Sequence, residues 1–254
     1  MKNIDECKII TVCSFKGGTG KTAISLNLAK VAGHYGIKTL LWEFDKNPGS
    51  LSSILDLDPN INVISAIMNP EGLPFYTNKI KRENFDVLLG PSDSFIGEEI
   101  DGIEKIEEVM NLAKGNYQLI IMDLGPYLDK VSIQVMNESN LILLIVEPEV
   151  SSISKAVANI DLIRDKTDYD LSKKIWVVLN KITKRDNITI SQISNALKMP
   201  ICVKIAYDKK YRETINKVES TITKTKITKG CKKILKRIYP DIEKPKRGKR
   251  FFIF

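Results

Sequence analysis

Residues 14–22 read SFKGGTGKT, and the fold turns on how they are read. An apolar run, Lys8–Phe15 (KIITVCSF), leads into them, and a helical pattern, Lys21–Gly36 (KTAISLNLAKVAGHYG), leads out. A strand, a glycine-rich turn and a helix that opens on Gly-Lys-Thr make the setting of a phosphate-binding loop. Gly17, Gly18 and Gly20 can turn tightly and let backbone N–H groups face an anion. The helix from Lys21 points the positive end of its dipole at that anion. In such a loop Lys21 reaches the β- and γ-phosphates, and the Thr22 hydroxyl ligates Mg²⁺. Two residues stand outside this account. Lys16 is a second, early lysine, and Phe15 stands where glycine would open the usual pattern.

Outward from the loop, apolar runs alternate with helical patterns. The runs are Lys38–Phe44, Phe85–Gly90, Tyr117–Asp123, Leu141–Pro148, Lys174–Lys181 and Pro200–Tyr207. Most are continuously apolar, which predicts strands covered on both faces, as in a parallel sheet. Helical patterns lie between them, notably Asp101–Gly115 and Ser151–Lys166, where Ser151 and Ser152 suit an N-cap. The alternation predicts an α/β protein with a doubly wound, mostly parallel sheet flanked by helices. Asp58–Asn84, with three prolines, reads as a helix-poor insertion at one edge. The expected organisation is one domain over residues 1–254, with 222–254 as a basic C-terminal helix and tail.

Composition agrees. With 254 residues, 43% hydrophobic and 28% charged, the chain can bury a sizeable core. Cys7, Cys13, Cys202 and Cys231 lack metal-ligand spacing, and His34 is the one histidine, so a zinc set is excluded and reduced thiols are expected. The opening residues do not read as a secretory signal, and no apolar run reaches the ~18 residues of a membrane span. The expected location is cytoplasmic. Net charge is +8, but residues 201–254 carry 17 Lys and Arg against 5 Asp and Glu, and the rest carry 22 against 26. The basic character belongs to the C-terminal fifth and points to a polyanion or a solvated lysine-rich surface.

The stretch KGGTGKT resembles the deviant phosphate loop, Lys-Gly-Gly-x-Gly-Lys-Thr, of the ParA/MinD superfamily of P-loop ATPases. The resemblance implies that Lys16 crosses an ATP-bound homodimer to the partner's phosphates. It implies nucleotide contacts from Gly17, Gly18, Thr19, Gly20, Lys21, Thr22 and Ala23. In WEFDKNPGS, Asp45 matches the acid that positions the attacking water, and Glu43 replaces an Asp near Mg²⁺. In YQLIIMDLGP, Asp123 resembles the Walker B aspartate behind Mg²⁺, with Gly125-Pro126 a shuffled version of the family's switch. The strand of VVLNK resembles the one whose terminal Asn, here Asn180, recognises adenine. KIAYD places Asp208 at the family's next acid, which implies a nucleotide contact from it too. The resemblance spans roughly residues 8–218.

The cysteine positions exclude the cluster-carrying relatives, and the lack of a tyrosine cluster near the C-terminus excludes the tyrosine kinases. The positioning ATPases remain, with the pilus-assembly (CpaE/TadZ-like) and MinD-like branches the most similar. The implied function is a dimerising ATPase, using ATP and Mg²⁺, with Lys16, Lys21 and Asp45 in hydrolysis. It would position or partition DNA, a plasmid, or division or pilus machinery, and an activator protein would stimulate it. The alternative is an ATP-binding scaffold with negligible turnover. The C-terminal pattern TKITKGCKKILKRIY reads as a helix whose apolar stripe packs on the sheet and whose basic face can meet DNA phosphates. The closing KPKRGKRFFIF suits an anionic membrane surface or docks on the fold. Nucleoid and inner membrane are thus both implied as surfaces.

Overall fold

The computed structural model describes residues 6–81, 83–93, 103–166, 171–209, 211 and 225–243. Among the described residues eight strands run in the order β3-β4-β2-β5-β1-β6-β7-β8. They are β1 (Lys8–Cys13), β2 (Thr39–Phe44), β3 (Asn78–Ile80), β4 (Phe85–Leu88), β5 (Leu119–Leu124), β6 (Leu141–Val146), β7 (Ile175–Ile182) and β8 (Ile201–Ala206). Every pairing is parallel except β3 with β4. The helices are α1 (Lys21–His34), α2 (Leu51–Leu55), α3 (Val63–Met68), α4 (Leu73–Tyr76), α5 (Ile103–Asn116), α6 (Lys130–Glu138), α7 (Val150–Lys166), α8 (Ile190–Leu197) and α9 (Lys226–Ile238).

Continuous apolar runs become strands buried on both faces because successive side chains alternate across the sheet. Ile9, Leu40, Trp42, Ile120, Met122 and Ile142 join one core layer, covered by α5, α6, α7 and α8 through Val109, Val135, Ile160 and Ile193. Ile10, Val12, Leu41, Ile121 and Leu143 join the other, covered by α1 and α9 through Leu28, Val31, Ile234 and Leu235. β5 and β6 are buried along their whole length. This is the doubly wound sheet the alternation predicts.

β1 lies between β5 and β6, so the chain winds one way toward β4 and the other toward β8. Crossovers diverge there and leave a crevice outside the carboxyl ends of the strands. The loops that follow β1, β2, β5, β6 and β7 all open on that edge. Their first residues are Ser14, Asp45, Gly125, Glu147 and Thr183.

Three expectations change. Residues 58–84 hold α3, a 3-10 turn at Pro70–Gly72, α4 and the antiparallel edge strand β3. Pro70 and Pro74 stand in the first turns of their helices, where proline's missing N–H does no harm. Helix α7 begins at Val150, so Ser151 and Ser152 lie inside its first turn, and Ser152 Oγ accepts the N–H of Glu147 at 3.0 Å. Phe15, unaccounted for by the loop pattern, is half-buried against the first core layer. It anchors the loop's first limb. The tail at 244–254 and residues 222–224 lie outside the described residues.

Candidate nucleotide site

The loop after β1 reverses on two glycines in the left-handed region, Gly18 (φ 75°) and Gly20 (φ 92°). Gly20 caps α1 without any side-chain hydrogen bond, and the first turn of α1 carries no acidic residue. Its end is therefore electropositive and open to an anion. A Cβ on Gly20 would also stand 2.7 Å from Asn180 Nδ2, so geometry and space both demand glycine there. Thr19 is fully buried, and its Oγ1 has no hydrogen-bond partner among the described residues. Such an orphaned polar atom under the loop is a feature of sites completed by a ligand.

Asp123 is the last residue but one of β5. It is 4% exposed, and its Oδ1 accepts the Ser25 hydroxyl at 2.9 Å. Burial raises its carboxyl above the ordinary value, against the opposing Thr22 hydrogen bond and the Lys21 charge. Thr22, Lys21 and Asp123 are thus brought together as the resemblance implies. Among the described residues no group of three His, Cys, Asp or Glu side chains could hold a metal. A hydroxyl from Thr22 with Asp123 behind it fits a Mg²⁺ that takes its remaining ligands from phosphate and water.

Glu43 and Asp123 are cross-strand partners in register. Yet Glu43 turns its oxygens elsewhere. Oε1 accepts the N–H of Leu51 at 3.1 Å, and Oε2 accepts that of Gly90 at 3.3 Å. Burial raises this carboxyl too. It fastens the start of α2 and the end of the β4 segment to β2, so its extra methylene relative to Asp has a structural use. Asp45 lies half-buried at the mouth, its Oδ1 accepting the N–H of Asn47 at 3.0 Å.

Lys16 folds back within its own chain. Its Nζ meets Glu147 Oε2 at 3.2 Å and also pairs with Glu149. The Glu149 hydrogen bond foremost, with Glu147 adding to it, holds the ammonium above its ordinary value. Asn180, expected at adenine, donates from Nδ2 to Thr19 O at 2.7 Å and is 2% exposed. Asp208 has its Oδ2 accepting the backbone N–H of Lys226 at the start of α9, 2.5 Å away. Four residues not singled out by sequence reasoning share the site: Ser25, Glu147, Glu149 and Lys181. Ser25 follows Lys21 by one helical turn, a spacing that could have flagged it. The acids and Lys181 come from the ends of other strands; Glu149 lies in a Pro-Glu-x-x-Ser stretch, 148–152, that resembles one in the family, while no local pattern marks Glu147 or Lys181.

A glycine-rich anion cradle before α1, a buried acid at the end of β5 and the crevice at β1 define the class: a P-loop nucleotide-binding protein. The chain belongs to the AAA domain family, which matches residues 7–173, and within it to the ParA/MinD superfamily of P-loop ATPases. It is 24% identical over 244 residues to the septum site-determining protein MinD of Helicobacter pylori, covering 91% of this chain and 90% of that one. Its fold is similar to that of MinD from Pyrococcus horikoshii, solved with Mg-ADP (TM-score 0.75, 24% identity, 92% of this chain and 96% of that one). It is also similar to a ParA family ATPase of Chlorobium tepidum (TM-score 0.78, 20% identity, 88% and 96%).

Proposed function

We propose that this chain binds Mg²⁺-ATP at residues 17–23, dimerises on ATP and hydrolyses it slowly, and that this cycle positions or partitions a cargo. The observation that carries the reading is the anion cradle at the N-terminus of α1 with Asp123, Thr22 and Lys21 gathered beneath it. Mg²⁺ when bound supplies charge neutralisation for the phosphates. Thr22 and Asp123 hold it, and Lys21 neutralises the β- and γ-phosphates. Asp45, at the mouth, orients the attacking water. Lys16 leaves its acidic partners and serves the other copy's nucleotide, which makes association depend on ATP. An activator protein speeds the reset.

The surface on which the cycle runs is polyanionic. Lys226, Lys229, Lys233, Lys236 and Arg237 are exposed along α9, while Ile227, Cys231, Ile234 and Leu235 are buried. Because the apolar face of α9 is committed to the core, its outer face offers cations without a hydrophobic wedge. That favours DNA phosphates over insertion into a bilayer. Among the described residues no helix is long and apolar enough to cross a membrane.

Phosphate release measured alone, with duplex DNA and with anionic liposomes tests the reading. Turnover that DNA stimulates above an Asp45→Ala control supports it. Nucleotide binding without turnover in any arm makes the chain an ATP-binding scaffold instead. Stimulation by liposomes alone moves the surface to the membrane.

A further inference from the structure

β7 ends irregularly. Its register against β8 shifts between Leu179 and Ile182, across Asn180 and Lys181. Lys181 adopts φ 57°, a left-handed conformation that a lysine rarely takes. Bulges and such outliers re-aim side chains and concentrate at functional sites. Here the effect is to turn two consecutive side chains toward the loop after β1. Asn180 Nδ2 donates to Thr19 O at 2.7 Å, and Lys181 Nζ donates to Gly18 O. In a trans peptide the carbonyl and the N–H point opposite ways. Holding the Gly18 and Thr19 oxygens toward β7 therefore aims the N–H groups of Thr19 and Gly20 away from it, where the loop is free to meet a phosphate.

Lys181 is itself held. Glu147 Oε1 pairs with its Nζ at 2.6 Å, while Oε2 of the same carboxylate meets Lys16. The Glu147 side chain is 10% exposed and that of Lys181 39%, so the carboxylate end of the pair is buried while the ammonium meets solvent. Glu147 in turn is pinned at the end of β6 by its N–H bond to Ser152. The chain of support runs from β6 through Glu147 and Lys181 to the loop carbonyl.

We propose that Lys181, held by Glu147, is a positioning residue that sets the phosphate loop in its anion-binding form. The proposal rests on reading that loop as the nucleotide site. Lys181 acts through the Gly18 carbonyl rather than on the nucleotide, and Glu147 keeps it there when Lys16 departs.

The test is the affinity for a fluorescent ADP analogue with Mg²⁺, which needs no dimer and no turnover, together with nucleotide-free melting. Lys181→Met should weaken binding about tenfold, the scale of a lost charge-assisted hydrogen bond. Lys181→Arg should restore affinity to within about threefold of the parent. Glu147→Gln discriminates most sharply. If Glu147 merely repelled the phosphates, its removal would tighten binding; as an anchor, its removal weakens binding by about threefold. The idea is overturned if Lys181→Met binds like the parent, if Glu147→Gln binds more tightly, or if a fall in nucleotide-free melting temperature accounts for the lost affinity. A parent protein that fails to bind the analogue refutes the nucleotide reading itself and this inference with it. A parent that binds beside an unaffected Lys181→Met refutes the inference alone.

Discussion

The carboxylate of Asp45 lies directly over Gly125: a Cβ built on Gly125 would stand 2.7 Å from Asp45 Oδ2 and 2.8 Å from its Cγ. The Gly125 N–H also donates to Phe44 O at 3.0 Å, so β2 and β5 hold the two residues in register beyond their last ladder pair. The Gly125-Pro126 order departs from the family's usual arrangement, yet glycine is retained where an acid presses on the backbone. Gly125→Ala should displace Asp45 and lower ATP turnover tenfold or more, on the scale of about 1.4 kcal/mol per tenfold in rate. ADP affinity should stay near that of the parent. Single-turnover phosphate release beside an ADP titration measures both, and undiminished turnover would show that Asp45 is not held for chemistry.

Lys16 is tied to Glu147 and Glu149 in the isolated chain. Lys16→Ala should leave ADP binding within about threefold of the parent, since partly exposed ion pairs contribute little on their own. It should abolish the ATP-dependent dimer. Sedimentation velocity with a non-hydrolysable ATP analogue reads this directly, and a dimer that survives the substitution refutes the crossing role.

Glu43 accepts N–H groups from Leu51 and Gly90 on separate oxygens. In Glu43→Gln one of those buried N–H groups faces an amide nitrogen that cannot accept. The expected loss is about 1–3 kcal/mol of folding stability, the cost of one unsatisfied buried donor. Urea denaturation measures it. An unchanged midpoint would mean that the α2 segment is not fastened through this carboxylate.

Asp123 carries a carboxyl that burial raises above its ordinary value. The folded state therefore binds this proton more tightly than the unfolded chain. The associated stability is fully present below the unfolded value of about 4 and is lost as pH rises through the raised folded value. Nucleotide-free protein should lose stability from Asp123 as pH climbs out of the usual carboxylate range. In Asp123→Asn that decline should flatten. Denaturation midpoints across this window test the sign, and an Asp123→Asn profile parallel to that of the parent would contradict it.

The seven apolar runs became β1, β2 and β4 to β8, most of them continuous because a strand covered on both faces needs apolar residues at every position, while the edge strand β8 leaves Lys204 and Ala206 exposed. β3 escaped notice because it has three residues, an edge position and one exposed side chain in the middle. The phosphate loop was legible because its chemistry is local, with tight-turn glycines and a helix start in one stretch of chain. Asn180 and Asp208 were placed by resemblance, and their contacts could not be read locally. One binds the Thr19 carbonyl, the other the first turn of α9.

The sequence alone determined the doubly wound sheet, the cradle at Gly17–Thr22 and the acid near the end of β5. Each depends on periodicity or on neighbours a few residues apart. Tertiary structure alone decided what stands around Lys16. Glu147 and Glu149 reach it from beyond the end of β6, more than 130 positions away along the chain, and Lys181 of β7 shares Glu147 with it. The charge network exists because parallel strands deliver their carboxyl ends to one edge. Which ends become neighbours is set by strand order, β1 next to β6 and β6 next to β7, which no local pattern encodes.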